Sequence, residues 1–265
     1  MNTKAETITA SRDNVGISWR RRDTLGVYWR EALFQCRTML RSPAFALPTL
    51  LFPVMFYLFF AVLFNRGDGA YFLATYGTFG VMGPALFGFG VGVAMEREYG
   101  VLALKRVFPL PAMAYFFARI AVTAVFAFLI VVMLSIMAIT LAGVVLAPAQ
   151  WLALGCVLVA GTAPFCALGL VVGLSVNGQA AAPVVNLIYL PMSFLSGLWV
   201  PIQLMPHFLQ QFALALPAYH LGQLALVVAD HGDPANVPIH AGYLAAFTIV
   251  CLLIAARGWR RIQDR

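Results

Sequence analysis

The sequence predicts an all-α integral membrane protein with six transmembrane helices. Its composition is the first reason: 62% of the 265 residues are hydrophobic and 10% are charged, whereas soluble domains carry about 25% charged residues. The apolar residues also fall into runs of about 20, the length that crosses a bilayer as a helix. Finally, Lys and Arg cluster in alternate segments between those runs, as the loops of a multi-pass protein require.

Six apolar runs define the organisation of the chain. Residues 1–22 carry no periodic pattern and are predicted to be a disordered cytoplasmic tail, and residues 23–265 are predicted to form one six-span domain. Prolines interrupt the fifth run, and a membrane helix tolerates them only where neighbouring groups satisfy the freed backbone. The predicted spans are about 44–64, 70–95, 113–141, 151–176, 180–198 and 239–256.

The distribution of Lys and Arg predicts the orientation. Eight of them precede Ala44, and others lie between spans two and three and in the tail, whereas residues 198–238 contain none. Because cytoplasmic loops are enriched in Lys and Arg, both termini are predicted to be cytoplasmic, in a bacterial-type inner membrane. The net charge of +7 is interpreted as this signal together with attraction to anionic lipid, and not as nucleic-acid binding.

A basic amphipathic helix is predicted ahead of span one, over residues 25–41. Apolar side chains occupy one arc at helical spacing and polar, mostly basic, ones the other, which is typical of a helix lying in the membrane interface. It is either a simple juxtamembrane anchor or a connector that also touches a cytoplasmic partner. Its candidate site residues are Tyr28, Trp29, Arg30, Arg37 and Arg41.

Several kinds of chemistry are missing from the sequence. A phosphate-binding Walker A loop needs Gly-Lys-Ser/Thr, but neither Lys4 nor Lys105 follows a glycine. The predicted spans contain no acidic residue, which disfavours a proton-coupled carrier. Nor does a filter motif or a ring of charge indicate a passive channel. No catalytic residue and no cofactor are predicted in this chain, so energy must enter from a partner.

Histidine and cysteine give no metal site in the sequence. His207, His220, His231 and His240 are predicted to be external and widely spaced. The four cysteines lack the paired spacing of metal ligands and are interpreted as small apolar residues.

Two segments carry distinctive motifs: MEREYGVLALKRVFPLP (95–111) after span two and FLSGLWVPIQLMPHFLQQFALALPAYHLGQ (194–223) after span five. Together they resemble the membrane-spanning subunit of type-2 ABC exporters. The first is similar to the Glu-Arg-x-x-Gly-x-Leu segment of that family and its trailing prolines, and the second is similar to its Ser-Gly, Pro, Leu-Pro and Pro-x-x-His series. The resemblance covers about residues 24–256.

The resemblance implies a cytoplasmic coupling helix between spans two and three that docks on a separate ABC ATPase. The residues agree: the charges precede a glycine that permits a turn, and the apolar residues after it need a surface to cover. A loop lying on lipid is the alternative. The candidate coupling residues are Glu96, Arg97, Glu98, Tyr99, Gly100, Leu104, Lys105 and Arg106.

Short re-entrant external helices between spans five and six are also implied, and they would help to close the pathway. An amphipathic loop element without a gating role is the alternative. The candidate gate residues are Pro201, Pro206, Phe208, Phe212 and Pro217.

The family likeness implies a permease subunit that exports a hydrophobic or amphipathic, drug-like or antibiotic-like substrate. ATP and Mg²⁺ would bind to the partner ATPase, and the permease would act as a homodimer or with a related permease. Gly88/Gly92 and Gly169/Gly173 permit close helix packing, either within one subunit or at a dimer seam. A polysaccharide or lipid-linked oligosaccharide exporter and a non-transporting membrane scaffold are the alternatives.

Overall fold

The computed structural model describes residues 21–64, 68–100 and 112–263. Within these ranges every regular element is a helix. An N-terminal helix precedes a bundle, and two short helices sit between the last two long ones. The helices are α1 (Arg21–Leu40), α2 (Pro43–Leu63), α3 (Gly69–Glu98), α4 (Ala112–Thr140), α5 (Pro148–Ser175, with a turn near Gly161), α6 (Gly178–Leu195), α7 (His207–Ala213), α8 (Pro217–Val228) and α9 (Val237–Gln263).

Among the described residues, six helices are long and apolar enough to cross a membrane: α2, α3, α4, α5, α6 and the last helix with the turn before it. This confirms the number predicted from the sequence. Two helices continue past the C-terminal ends of their predicted spans. α3 continues through Glu98 and α9 through Gln263, because charged side chains at a helix end do not stop a helix when they find partners or solvent.

The two ends of the bundle differ in charge. One end, called the basic end, gathers the start of α2, the end of α3 and the end of α9, with Arg37, Arg97 and Arg257. The opposite, acidic end carries Asp68 and Asp230. There His231 lies 2.7 Å from the Asp68 carboxylate, and the Gln150 amide donates to Asp230 at 2.6 Å.

The core of the bundle is α3 packed against α5. Both helices are mostly buried, whereas α2, α6 and α9 expose most of their apolar surface. Small residues allow the approach: a Cβ at Gly169 would lie 3.1 Å from the Ala85 carbonyl oxygen, and one at Gly173 would lie 2.8 Å from that of Phe89. This glycine pair therefore serves packing within one chain.

Two helices contain π-helical turns, Leu58–Leu63 in α2 and Phe87–Val91 in α3. A π turn inserts an extra residue and disturbs the backbone ladder, and such turns are frequent at functional sites. Prolines also lie inside these helices, at Pro48, Pro53 and Pro84. Pro48, Pro53 and Phe87, the first residue of the second π turn, line the groove described below.

Between α6 and α9 the chain folds into a bent helix pair. α7 and α8 meet at 89°, with Pro217 in the first turn of α8, where its missing N–H is not needed. The geometry fits either a broken span or a re-entrant loop.

Candidate functional site

Arg97 and Glu98, two adjacent charges of opposite sign in the last turn of α3, contact the C-terminal end of α5 and the N-terminal end of α6. The Arg97 guanidinium donates to the carbonyl oxygen of Leu174 and, at 2.6 Å, to that of Val176. Both carbonyls are at the C-terminal end of α5, where the last turn leaves oxygens unpaired. A cation stabilises that end of a helix through the backbone dipoles, so Arg97 ties α3 to α5.

Glu98 makes the complementary contact with the start of α6. Its carboxylate accepts a hydrogen bond from the backbone N–H of Gly178 at 2.5 Å. An anion is favoured at a helix N-terminus for the same reason that a cation is favoured at the other end. The approach needs the glycine, because a Cβ at Gly178 would lie 2.7 Å from the carboxylate oxygen.

Glu96 joins α3 to α4 through a buried ion pair. Arg119, which is only 5% exposed, lies 2.7 Å from the Glu96 carboxylate and donates to the Tyr115 hydroxyl at 2.7 Å. It also donates to the carbonyl of Gly88, within the π-helical turn. We call Glu96, Arg97, Glu98 and Arg119, with their partners, the clasp.

The clasp changes how the predicted coupling residues are interpreted. The sequence suggested that Glu96, Arg97 and Glu98 were available to an outside partner, but the structure gives each of them a contact within this chain. Sequence counting also placed Arg119 beside a cytoplasmic loop, and the structure buries it inside α4.

Beyond the clasp the chain turns outward. Tyr99 is 73% exposed, and Gly100 adopts φ +71°, a conformation that glycine allows without strain. Predicted coupling residues Leu104, Lys105 and Arg106 lie outside the described residues.

The predicted interfacial residues lie on or just after α1, which packs along α4. The Tyr28 ring contacts Phe117 at 5.7 Å, whereas Trp29 is 63% exposed. Burial raises the pKa of the Cys36 thiol, which keeps it protonated and fits its interpretation as an apolar residue. Arg30, Arg37 and Arg41 are also on the exposed or half-buried side.

The predicted gate residues surround the bent helix pair. Phe208 and Phe212 on α7 are exposed at 68% and 52%. Pro206 and Pro217 precede α7 and begin α8, as their spacing predicted, and Pro201 precedes the short 3₁₀ turn Ile202–Leu204.

A groove of about 270 Å³ opens between α2, α3 and α6. Among the described residues, no charged side chain lines it. Its polar side chains are Thr49, Asn186 and Tyr189, and the Tyr189 hydroxyl already donates to the Phe79 carbonyl at 3.1 Å. The remaining lining residues are Ala44, Phe45, Pro48, Phe52, Pro53, Gly80, Gly83, Phe87 and Leu190.

Prolines give the groove additional acceptors. Thr49 and Gly80 each lie four residues before a helical proline, Pro53 and Pro84. Proline has no N–H, so the carbonyl four residues earlier loses its usual helical partner. The apolar wall therefore contains backbone oxygens able to accept a hydrogen bond.

Comparison with known proteins identifies the family. The sequence model described as ABC-2 type transporter matches residues 27–228. This chain belongs to the ABC-2 type transporter family. The chain is also 28% identical over 234 residues to a Bacillus subtilis (strain 168) protein named "Putative transport permease YvfS", an alignment that covers 85% of this chain and 96% of that protein.

Membership makes the chain a permease, a multi-pass membrane subunit of an ABC-2 type transporter. Such permeases in general work with an ATP-binding partner and assemble as dimers. The clasp lies at the end of α3, within the matched region.

Sequence reasoning missed one pair of residues. His220 and His240 were predicted to be widely spaced, and that prediction is wrong: their Nδ1 atoms lie 2.8 Å apart. The separation of twenty positions in the sequence hides the contact, which forms because α8 folds back on α9. Among the described residues no group of three or more His, Cys, Asp or Glu could hold a metal ion.

Proposed function

We propose that this ABC-2 permease exports a neutral, hydrophobic or amphipathic substrate, driven by a separate ABC ATPase that binds ATP and Mg²⁺. The observation that carries the proposal is the uncharged groove between α2, α3 and α6, joined to the basic end by the clasp. A second permease copy would complete the pathway. The basic end would face the cytoplasm of a bacterial-type cell, and the bilayer would be the inner membrane.

The clasp supplies a route from the ATPase to the groove. A partner that moves the segment after Tyr99 would move the end of α3, which Glu98 connects to α6. Because α6 forms one wall of the groove and α3 another, a tilt at the basic end changes the groove width. Contiguous packed elements of this kind carry coupling between distant sites.

The substrate is proposed to be neutral because the lining offers no counter-charge. A buried ion without a partner is strongly disfavoured, so a charged molecule would bind poorly in this groove. Thr49 and Asn186 provide hydrogen-bonding side chains, which suit a molecule with one polar group on an apolar body.

Binding of the ATPase can be tested with mutations that leave the contacts of the clasp intact. Tyr99→Ser and the double change Lys105→Glu/Arg106→Glu alter residues outside the clasp, and Phe208→Ser changes a similarly exposed aromatic residue at the other end. From membranes of the native host, an ABC ATPase should co-purify with the unmodified chain and with the Phe208 variant. Recovery with the first two variants should fall at least about tenfold. Equal recovery with all variants would refute docking at this segment.

The substrate class has its own test. Cells producing the permease with its ATPase should accumulate less Nile Red, a neutral amphipathic dye, than cells in which the ATPase carries an inactive Walker A lysine. Asn186→Leu should reduce that difference, whereas Leu187→Ala, on the same helix but outside the groove lining, should not. Export of a cationic dye such as rhodamine 6G without export of Nile Red would contradict a neutral pathway.

A second candidate is a lipid-linked oligosaccharide, which an aromatic cluster near the groove favours. The Phe56 ring lies 5.9 Å from that of Tyr76 and 5.2 Å from that of Trp199. The Tyr76 hydroxyl and the Trp199 Nε1 are buried and have no hydrogen-bond partner among the described residues, so a sugar acceptor would reach them only if the packing around them opened. Loss of a surface glycan on deletion of the gene would select this candidate.

A further inference from the structure

Two histidines connect the bent helix pair to the last helix. His220 on α8 and His240 on α9 are 5% and 9% exposed, and their Nδ1 atoms lie 2.8 Å apart. The second ring nitrogen of His220, Nε2, lies 2.9 Å from the Leu214 carbonyl oxygen in the turn between α7 and α8. The Tyr243 ring stacks on His220 with centroids 3.8 Å apart.

The contacts determine where the protons are. A carbonyl oxygen only accepts, so Nε2 of His220 carries the hydrogen and donates it to Leu214. A neutral imidazole has one N–H, which leaves Nδ1 of His220 as an acceptor. The hydrogen between the rings therefore belongs to Nδ1 of His240. The two histidines must be opposite tautomers.

The same hydrogen-bond requirements limit how many protons the pair can bind while the two rings stay in contact. One added proton goes to Nε2 of His240, and the N–H···N bond survives because Nδ1 of that ring still donates. A second must go to Nδ1 of His220, which places two N–H groups and two cations face to face at 2.8 Å. That state cannot keep the contact.

Within the described ranges, no acidic side chain forms an ion pair with His220 or His240 that would relieve the doubly protonated state. The neighbours are Tyr219 and Tyr243, whose rings contact the histidines, and the turn, whose Ala215 carbonyl accepts from the Tyr243 hydroxyl at 2.7 Å. In the described part of the chain the ion pairs are elsewhere, at Arg119–Glu96 and His231–Asp68.

We propose that His220 and His240 form a proton-binding latch between the bent helix pair and α9. The latch is closed with no added proton or with one, and a second proton opens it. Acidification on the side of this pair would then release α8 from α9. The inference concerns this chain alone and goes beyond the proposed transport function.

Histidine NMR tests the tautomers directly. Full-length protein carrying ¹⁵N-histidine, in nanodiscs of phosphatidylcholine and phosphatidylglycerol, should show at pH 8 one Nδ1-protonated and one Nε2-protonated ring joined by N–H···N coupling. Variants with His→Gln at each position assign the signals. On acidification the coupling should persist through one protonation and vanish with the second. An Nδ1-protonated His220 at pH 8 would overturn the proposal.

Thermal unfolding tests the latch itself. The Tm of the unmodified protein should fall by at least about 3 °C when the second proton binds. His220→Gln keeps an acceptor for His240 and a donor for Leu214 but cannot titrate, so this fall should disappear. Should His220→Gln fail to fold, His240→Gln serves instead: its amide NH₂ donates to neutral His220 and its oxygen accepts from protonated His220, so this fall should disappear as well.

Two other histidines are the controls. His207→Gln, at the start of α7, should leave the pH dependence unchanged. His231→Gln removes the contact with Asp68, which lies outside the latch, and should leave the fall in Tm with the second proton in place. A His220→Gln protein that loses as much Tm on acidification as the unmodified protein would refute the latch.

Discussion

Replacing Arg119 tests the buried part of the clasp most directly. Arg119→Met keeps the length of the side chain but removes the ion pair with Glu96 at 2.7 Å and the donation to Tyr115 at 2.7 Å. Breaking a buried pair by removing one partner costs about 3–5 kcal/mol, because it leaves a charge without compensation. We expect the free energy of unfolding to fall by that amount.

A double-mutant cycle on Arg119 and Glu96 separates the energy of their interaction from the cost of leaving one charge buried without a partner. Glu96→Gln alone should cost about 1.5–3 kcal/mol, the value of a hydrogen bond to a charged group. The double variant should cost at least about 1 kcal/mol less than the sum of the single changes, since it leaves no lone charge.

The assay is reversible unfolding in mixed micelles with increasing SDS, followed by tryptophan fluorescence. Arg41→Met is the matched control, because Arg41 is exposed at the end of α1, and a surface change costs within about 0.5 kcal/mol. Costs for Arg119 and Glu96 that simply add, within about 0.5 kcal/mol, would refute an energetic connection between α3 and α4 at this point.

Two further predictions concern packing and thiol chemistry. Gly173→Ala should destabilise the protein by about 1–3 kcal/mol, since its Cβ would lie 2.8 Å from a backbone oxygen of α3 and overpacking costs that much. Gly155→Ala, with nothing within 4 Å, should be neutral or stabilising by up to about 1 kcal/mol, and equal Tm values would contradict the packing argument. Burial raises the pKa of Cys36, so at pH 7 maleimide should modify Cys36 more slowly than free cysteine, and the rate should rise with pH as thiolate forms. Labelling of Cys36 as fast as that of free cysteine at pH 7 would refute this.

The sequence predicted correctly those features that depend on the residues of one helix alone. Runs of about 20 apolar residues identified six helices, and the spacing of Pro206 and Pro217 located α7 between them. The Gly169/Gly173 pair indicated close packing but not its partner, because small-residue spacing marks a face and leaves the opposing helix open.

Contacts between helices could not be read from the chain. The sequence counted Arg119 with the charges at the flank of the loop between spans two and three, whereas in the structure its partners are Glu96 and a carbonyl of the π-helical turn of α3. His220 and His240 counted as separate external residues until the 89° bend brought α8 against α9. Both cases involve polar groups whose partner is distant in sequence, and one sequence contains no signal for that pairing.

The groove has a consequence for how its occupant arrives. Its lining includes Phe52 and Leu190, two apolar side chains exposed at 42% and 37%. Such an exposed apolar lining borders hydrocarbon chains, not water, so in the proposed pathway molecules would enter sideways from a leaflet. Apparent affinity measured against aqueous concentration would then rise with the partition coefficient of the compound. Affinity expressed per mole of lipid would stay nearly constant across a series that differs only in chain length.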